Sequence, residues 1–407
     1  MNYRSVMDRL MKAEVDEGRV KGNSALVIKD GKEIYYNEFG FADAEKGVPM
    51  KRDTIIRLFS MTKPITAVAA MIAQERGYID LNFPLSHYLP EYADMKVLKE
   101  IRDENGEIVS YEEVPATRQI TLMNLLTMTS GIPYGENWEG CSEIGRRMQS
   151  IFDKIIDGIN SGERLSTREI VRRIAENPLA FEPGERWMYG LSADIIAAVI
   201  EEVTGVRFGE FIKKEIFDPL QMPDTGFFVP REKWDRFAMS YDYSGSESDG
   251  TYRLTAADSC HLGEYYHEDV AYEAGGCGLV STIEDYSHFA LMLANGGIYK
   301  GRRIIGSASV KFLATNHLAP EQAGGLDWES NRGYGYGGLM RVLIDQGKAG
   351  SQATLGEFGW DGWTGNYFCV DPEKKLVLLY FIQLRGAGTM NVVRRLRAAT
   401  YGALDEI

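Results

Sequence analysis

Histidine and cysteine are scarce in this chain: five and four among 407 residues. The cysteines, Cys141, Cys260, Cys277 and Cys369, lie far apart and form no Cys-x-x-Cys pair. That pattern excludes a dithiol redox motif and offers no disulfide framework, so buried free thiols are expected. Cys260, His261 and His267 fall close together, but no second pair stands at metal-ligand spacing; no metal site and no cofactor are read. The histidines (His87, His261, His267, His288 and His317) sit in no motif, which leaves a Ser-His-Asp triad without support. Gly-x-Ser-x-Gly is absent too. Its nearest approach, Gly190-Leu191-Ser192-Ala193-Asp194, fails at the last position, which disfavours a nucleophile elbow. No glycine loop of the phosphate-binding kind occurs.

Long apolar runs are also missing. The two longest, 65–73 and 376–382, are too short to cross a bilayer. Residues 1–20 carry charge throughout, as an amphipathic helix does and a signal peptide does not. A cytoplasmic chain without a membrane partner is the expectation. Basic clusters are lacking as well, and the net charge of -14 would repel a nucleic acid. What remains is 44 % hydrophobic and 26 % charged residues, a globular composition long enough for two lobes.

Apolar-rich runs at 24–28 and 33–39 flank Lys29-Asp30-Gly31-Lys32, a hairpin signal. Runs at 363–370 and 376–384 flank Asp371-Pro372-Glu373-Lys374-Lys375, a second hairpin, and helical periodicity follows at 390–404. Helical periodicity also recurs at 65–76, 122–128, 144–159, 167–177, 192–204 and 208–216. Residues 240–273 read as a long irregular connection, and 93–119 as a loop region. The expected fold is α/β in the α+β sense: an antiparallel sheet built from both chain ends and flanked by helices, with an inserted, mostly helical lobe. The expected division is 1–57 with 276–407 for the sheet lobe and 58–275 for the helical lobe, the active site lying between them.

Three stretches carry chemistry. Ser60-Met61-Thr62-Lys63 opens a strongly apolar helical run. Ser-x-x-Lys spacing puts both side chains on one helix face, with β-carbons about 5–6 Å apart. A serine hydroxyl needs a base to become a nucleophile, and a partly desolvated lysine is one. Taken alone, the same four residues also describe an N-cap serine and a solvated lysine. Tyr189, just before a helix capped by Ser192, could project into a cleft or simply pack. Gly359-Trp360-Asp361-Gly362-Trp363-Thr364-Gly365 could bring backbone close to a ligand or merely turn the chain.

Taken in order, these stretches resemble the serine β-lactamase and penicillin-binding superfamily, in its class C-like branch near the family VIII carboxylesterases. Ser60-Met61-Thr62-Lys63 matches the Ser-x-x-Lys motif, Tyr189-Gly190-Leu191 the place of Tyr-x-Asn, and Trp360-Asp361-Gly362 the place of Lys-Thr-Gly or His-x-Gly. Residues 125–131, 275–282 and 333–337 agree as well, so the resemblance runs from about 24 to about 404. It implies acylation of Ser60 and deacylation by water, with Lys63 and Tyr189 as the proton-transfer groups. The implied oxyanion hole is the N–H of Ser60 and of Trp363. Leu191 stands where the family has an amide and Trp360 where it has a cation, so a charge-assisted contact to a substrate carboxylate is gone. The substrate-binding set is then Trp360, Asp361, Gly362, Tyr134 and Leu191, with apolar groups packing on Trp360, Trp363 and Tyr134. A phenol of ordinary pKa about 10 needs roughly 4 kcal/mol of help to ionise near neutrality. With a single lysine present, Lys63 and Tyr189 are expected to share a proton.

The implied activity is hydrolysis of small or short-chain carboxylic esters, the partner being a small-molecule ester or amide. A D,D-peptidase, D-aminopeptidase or weak β-lactamase, and a non-catalytic scaffold of the same fold, are the alternatives. Neither the oligomeric state nor the choice between water and another acyl acceptor is legible.

Overall fold

The first hairpin forms where the apolar runs place it. Gly22–Lys29 pairs antiparallel with Lys32–Asp43 across Asp30-Gly31, and Val27 faces Tyr35. The computed structural model describes residues 2–405 except 247, 249, 258–264, 268, 269 and 327. The cluster of Cys260 and His261 falls outside the described residues.

Leu376–Phe381 pairs with Gly22–Lys29, so strands from the two ends of the chain meet at the centre of one sheet. Its order is Tyr334–Tyr336, Arg341–Leu343, Phe358–Asp361, Tyr367–Asp371, Leu376–Phe381, Gly22–Lys29, Lys32–Asp43 and Val48–Pro49, and every pairing is antiparallel. Side chains alternate faces with period two. Ala25, Val27, Leu378 and Tyr380 point to the helices Tyr3–Asp16 and Asn391–Ala403. Leu26, Ile28, Val377 and Leu379 point to the opposite core, where Tyr286 of the helix Ile283–Ala294 meets Phe368 and Phe381 edge-on. An antiparallel sheet flanked by helices is the expected architecture.

That second core continues into the helices Thr62–Glu75, Leu122–Leu126, Thr167–Ile174 and Ser192–Thr204. Every residue from Thr62 to Ala73 is buried, as in a helix hydrophobic all round. Pro64 costs little there because the first turn has no intrahelical acceptor to lose. Among the described residues, no helix is long and apolar enough to cross a membrane.

Three expectations needed correction. The loop region 93–119 holds an antiparallel hairpin, Lys96–Arg102 with Ile108–Pro115. The connection 240–273 holds another, Tyr241–Ser244 with Arg253–Ala256. Both hairpins are mostly exposed, so burial imposed no hydrophobic alternation on their sequences. Residues 363–370 are not one strand. Phe358–Asp361 is a strand of its own and the next begins at Tyr367. The turn between them is tied down by the Gly362 N–H on the Asn366 carbonyl (2.7 Å) and by the Asn366 amide on the Arg57 carbonyl (2.7 Å).

Candidate active site

Residues 56–63 bring a strand, a tight turn and a helix together in eight positions. Ile56–Arg57 pairs with Val280–Ser281. Phe59 then takes a left-handed φ of 46°. Such a conformation costs a non-glycine residue on the order of 1–3 kcal/mol and persists only where its surroundings fix it. Phe59–Met61 is a 3₁₀ turn, and the α-helix starts at Thr62 rather than at Ser60. Ser60 and Lys63 stand on either side of the junction between the two, three residues apart and on one face.

The Lys63 amine is fully buried and meets three oxygens. Its Nζ lies 3.1 Å from Ser60 Oγ, 2.9 Å from the Tyr134 hydroxyl and 2.8 Å from the Gly276 carbonyl. The nucleophile candidate and its base candidate are thus in contact. The phenol bonded to the amine is Tyr134, which sequence reasoning had treated as a substrate wall. Burial raises the Tyr134 pKa well above the ordinary phenol value, with nearby Tyr189 and Asp194 adding to it, so this hydroxyl keeps its proton.

Tyr189 approaches differently. Lys63 Nζ sits 4.6 Å from the centre of its ring, over the π face. Its hydroxyl accepts from the Trp360 indole N–H at 3.2 Å. Gly190 sets this approach: a Cβ there would fall 1.9 Å from the Ile132 carbonyl oxygen, so only glycine lets the two segments touch. As a result the Tyr134 and Tyr189 rings stand 5.5 Å apart. Trp187, Trp328 and Trp360 close around Tyr189 at 5.9, 5.2 and 5.6 Å between ring centres.

The remaining predicted residues divide. Trp360 is 1 % exposed, so it is a buried donor to Tyr189 rather than an open wall for an alkyl group. Leu191 is buried in the core beneath the site, and its side chain lines no open surface. Asp361 accepts from Arg341 at 2.8 Å and from Thr389, which ties it to the neighbouring strand. Gly362 has a backbone role: a Cβ would lie 2.4 Å from the Leu58 carbonyl oxygen, two residues before Ser60. Trp363 is 41 % exposed, with its ring edge-on to Phe59 at 5.2 Å. Among the described residues, no acceptor takes the Trp363 N–H.

Asp194 is the residue that sequence reasoning missed. It is buried in the first turn of the helix Ser192–Thr204 and accepts from the Tyr272 hydroxyl at 2.8 Å and the Gly276 N–H at 3.2 Å. A signal existed: it is a lone acid in the run Ala193-Asp194-Ile195-Ile196-Ala197-Ala198, where an unpaired charge would be costly.

A family model described as Beta-lactamase matches residues 7–402. The chain belongs to the beta-lactamase family. It is 31 % identical to Protein Rv1367c of Mycobacterium tuberculosis over 381 residues, covering 90 % of this chain and 87 % of that one. It is 30 % identical to Esterase EstB of Burkholderia gladioli over 389 residues, covering 92 % and 88 %. The solved structure of EstCE1, a hydrolase with promiscuous acyltransferase activity, superposes with a TM-score of 0.76 at 24 % identity, covering 98 % of each chain. This member of the family is a serine hydrolase.

Proposed function

We propose that this chain is an esterase that cleaves small or short-chain carboxylic esters through an acyl-enzyme on Ser60. The observation that carries the reading is the contact between Ser60 Oγ and the buried Lys63 amine, 3.1 Å. In acylation, Ser60 Oγ attacks the ester carbonyl while its proton passes to Lys63 or Tyr189. The carbonyl oxygen takes up negative charge facing the N–H groups of Ser60 and Trp363. Ser60 stands in the first turn, where the helix supplies no acceptor for its N–H. The tetrahedral adduct then expels the alkoxide, which takes the proton back, and a water repeats the sequence on the acyl-enzyme.

The Trp360 N–H supports an ester over a carboxylate-bearing amide. It donates to Tyr189 from the place where the family pattern has a cation, so the site offers no formal charge there to hold a substrate carboxylate. Trp363, with 41 % of its surface free, and the partly exposed Tyr134 suit a small apolar acyl or alkyl group. In this reading the site lies between a sheet lobe of 1–57 and 276–407 and a helical lobe of 58–275. The promiscuous acyltransferase activity of EstCE1 favours a second outcome, transfer of the acyl group to an alcohol in place of water.

The test is a side-by-side assay with p-nitrophenyl butyrate, nitrocefin and a D-Ala-D-Ala peptide, with Ser60→Ala as control. Ester turnover that disappears in Ser60→Ala is the expected result. Nitrocefin or peptide cleavage without ester cleavage would move the chain to the lactamase or peptidase reading. A fluorophosphonate that leaves Ser60 unlabelled in folded protein would point to a non-catalytic scaffold.

A further inference from the structure

A buried carboxyl behind the Lys63 amine has no part in the scheme above. Asp194 is 1 % exposed, and among the described residues its Oδ2 has no hydrogen-bond partner. Its Oδ1 holds the Gly276 N–H, while the Gly276 carbonyl holds Lys63 Nζ. Gly276 is clamped between acid and amine, and a Cβ there would lie 2.5 Å from Asp194 Oδ2. Among the described residues, the ionisable groups that face Asp194 are Lys63, Tyr272, Tyr134 and Tyr92. Burial holds all three phenols well above their ordinary value, so they stay neutral. Lys63 is the one group in that set that can take up positive charge.

We propose that Asp194 is a positioning residue that supplies the counter-charge for Lys63, so that a proton leaving Ser60 Oγ can settle on a fully buried amine. The inference rests on the reading of Ser60 and Lys63 as nucleophile and base. The step balances: the Oγ–H bond breaks, an Nζ–H bond forms, and the new ammonium is neutralised by the Asp194 carboxylate while the substrate oxygen becomes the oxyanion. A buried ammonium with no anion beside it would carry a large desolvation cost. Burial raises the Asp194 pKa, and the Lys63 charge is the largest influence in the other direction.

The experiment follows the pH dependence of fluorophosphonate labelling of Ser60 and of kcat/KM for p-nitrophenyl butyrate. An unlabelled, inactive wild type would end the esterase reading; the proposal is judged on a labelled one. In Asp194→Asn the acid limb of both profiles moves to lower pH by about one to three units, because an opposite charge no longer favours the protonated amine. The plateau falls about tenfold or more. Tyr272→Phe loses the hydroxyl clamp but keeps the charge, so its limb does not move to lower pH. An unmoved limb in folded Asp194→Asn, or an equal downward shift in both variants, overturns the proposal. A second measurement does not need Asp194→Asn to fold. Below the acid limb, where the wild-type amine is protonated, an infrared difference spectrum of Lys63→Met against wild type gains a protonated-carboxyl band as Asp194 loses its partner charge, and no such band would reject the pairing.

Discussion

The Trp360 indole N–H donates to the Tyr189 hydroxyl across 3.2 Å. A neutral donor therefore occupies the place where the family pattern carries a charged one. In the proposed mechanism it would stabilise negative charge that develops on the phenol oxygen.

Replacing Trp360 by Phe keeps the ring stack and removes the N–H. A hydrogen bond to a group that gains charge is worth about 1.5–3 kcal/mol, so kcat should fall about 10- to 100-fold. KM should change little, while the melting temperature should fall by several degrees because the smaller ring leaves a cavity at a site only 1 % exposed. Steady-state kinetics with p-nitrophenyl butyrate and a thermal melt measure both, and an unchanged kcat would remove Trp360 from the chemistry.

The two tyrosines separate by function. Tyr189→Phe is expected to abolish turnover, because its hydroxyl is held by Trp360 while its ring lies against the amine. Tyr134→Phe removes one of three partners of Lys63 and should cost about tenfold. Equal losses in both variants would mean that the Tyr134 hydroxyl also carries protons.

Gly362→Ala forces a methyl toward the Leu58 carbonyl, which is backbone and has little room to give. Overpacking of this kind costs about 1–3 kcal/mol of stability. The turn carrying Trp363 must shift away from Ser60, so turnover should fall more than tenfold. Chemical denaturation paired with the ester assay checks the split, and full activity would separate Trp363 from the oxyanion site.

Away from the site, Asp285 carries a pH dependence of its own. Burial lifts its pKa to about 6, against hydrogen bonds from the Asp224 N–H and the Thr225 hydroxyl. An acid held up in the folded protein binds its proton there more tightly than in the unfolded chain. Its contribution is therefore fully present below an unfolded value of about 4 and is lost as pH rises through about 6. Between about pH 4.5 and 7.5 that loss is about 2 kcal/mol, and Asp285→Asn should flatten it. Urea titrations at the two pH values measure the slope; an equal slope in both proteins would contradict the buried acid.

Much of this was legible because apolar periodicity and turn residues are local. The hairpin around Asp30-Gly31, the strand at 376–381 and the helices at 192–204 and 391–403 are burial patterns written directly into the chain. Ser60 and Lys63 could be read because three residues of helix fix their separation. What could not be read depends on residues distant in sequence. Tyr134 reaches Lys63 across 71 positions and Tyr272 reaches Asp194 across 78, and no local spacing encodes either meeting. Trp360 looked like a pocket wall because its apolar ring is obvious in a sequence, while the aim of its single N–H is not. The exposed hairpins at 96–115 and 241–256 were missed because solvent places no alternation on them.

The pairing of Gly22–Lys29 with Leu376–Phe381 also has a consequence for biosynthesis. The inner strand of the sheet emerges early from the ribosome and its neighbour emerges late. Ser60 and Lys63 are therefore translated long before the platform that backs them exists. A stalled or truncated product lacking residues 367–381 would display the unpaired edge of Gly22–Lys29, an open template for another chain. Chaperone capture of such nascent chains, released once residue 381 clears the exit tunnel, is the expected behaviour.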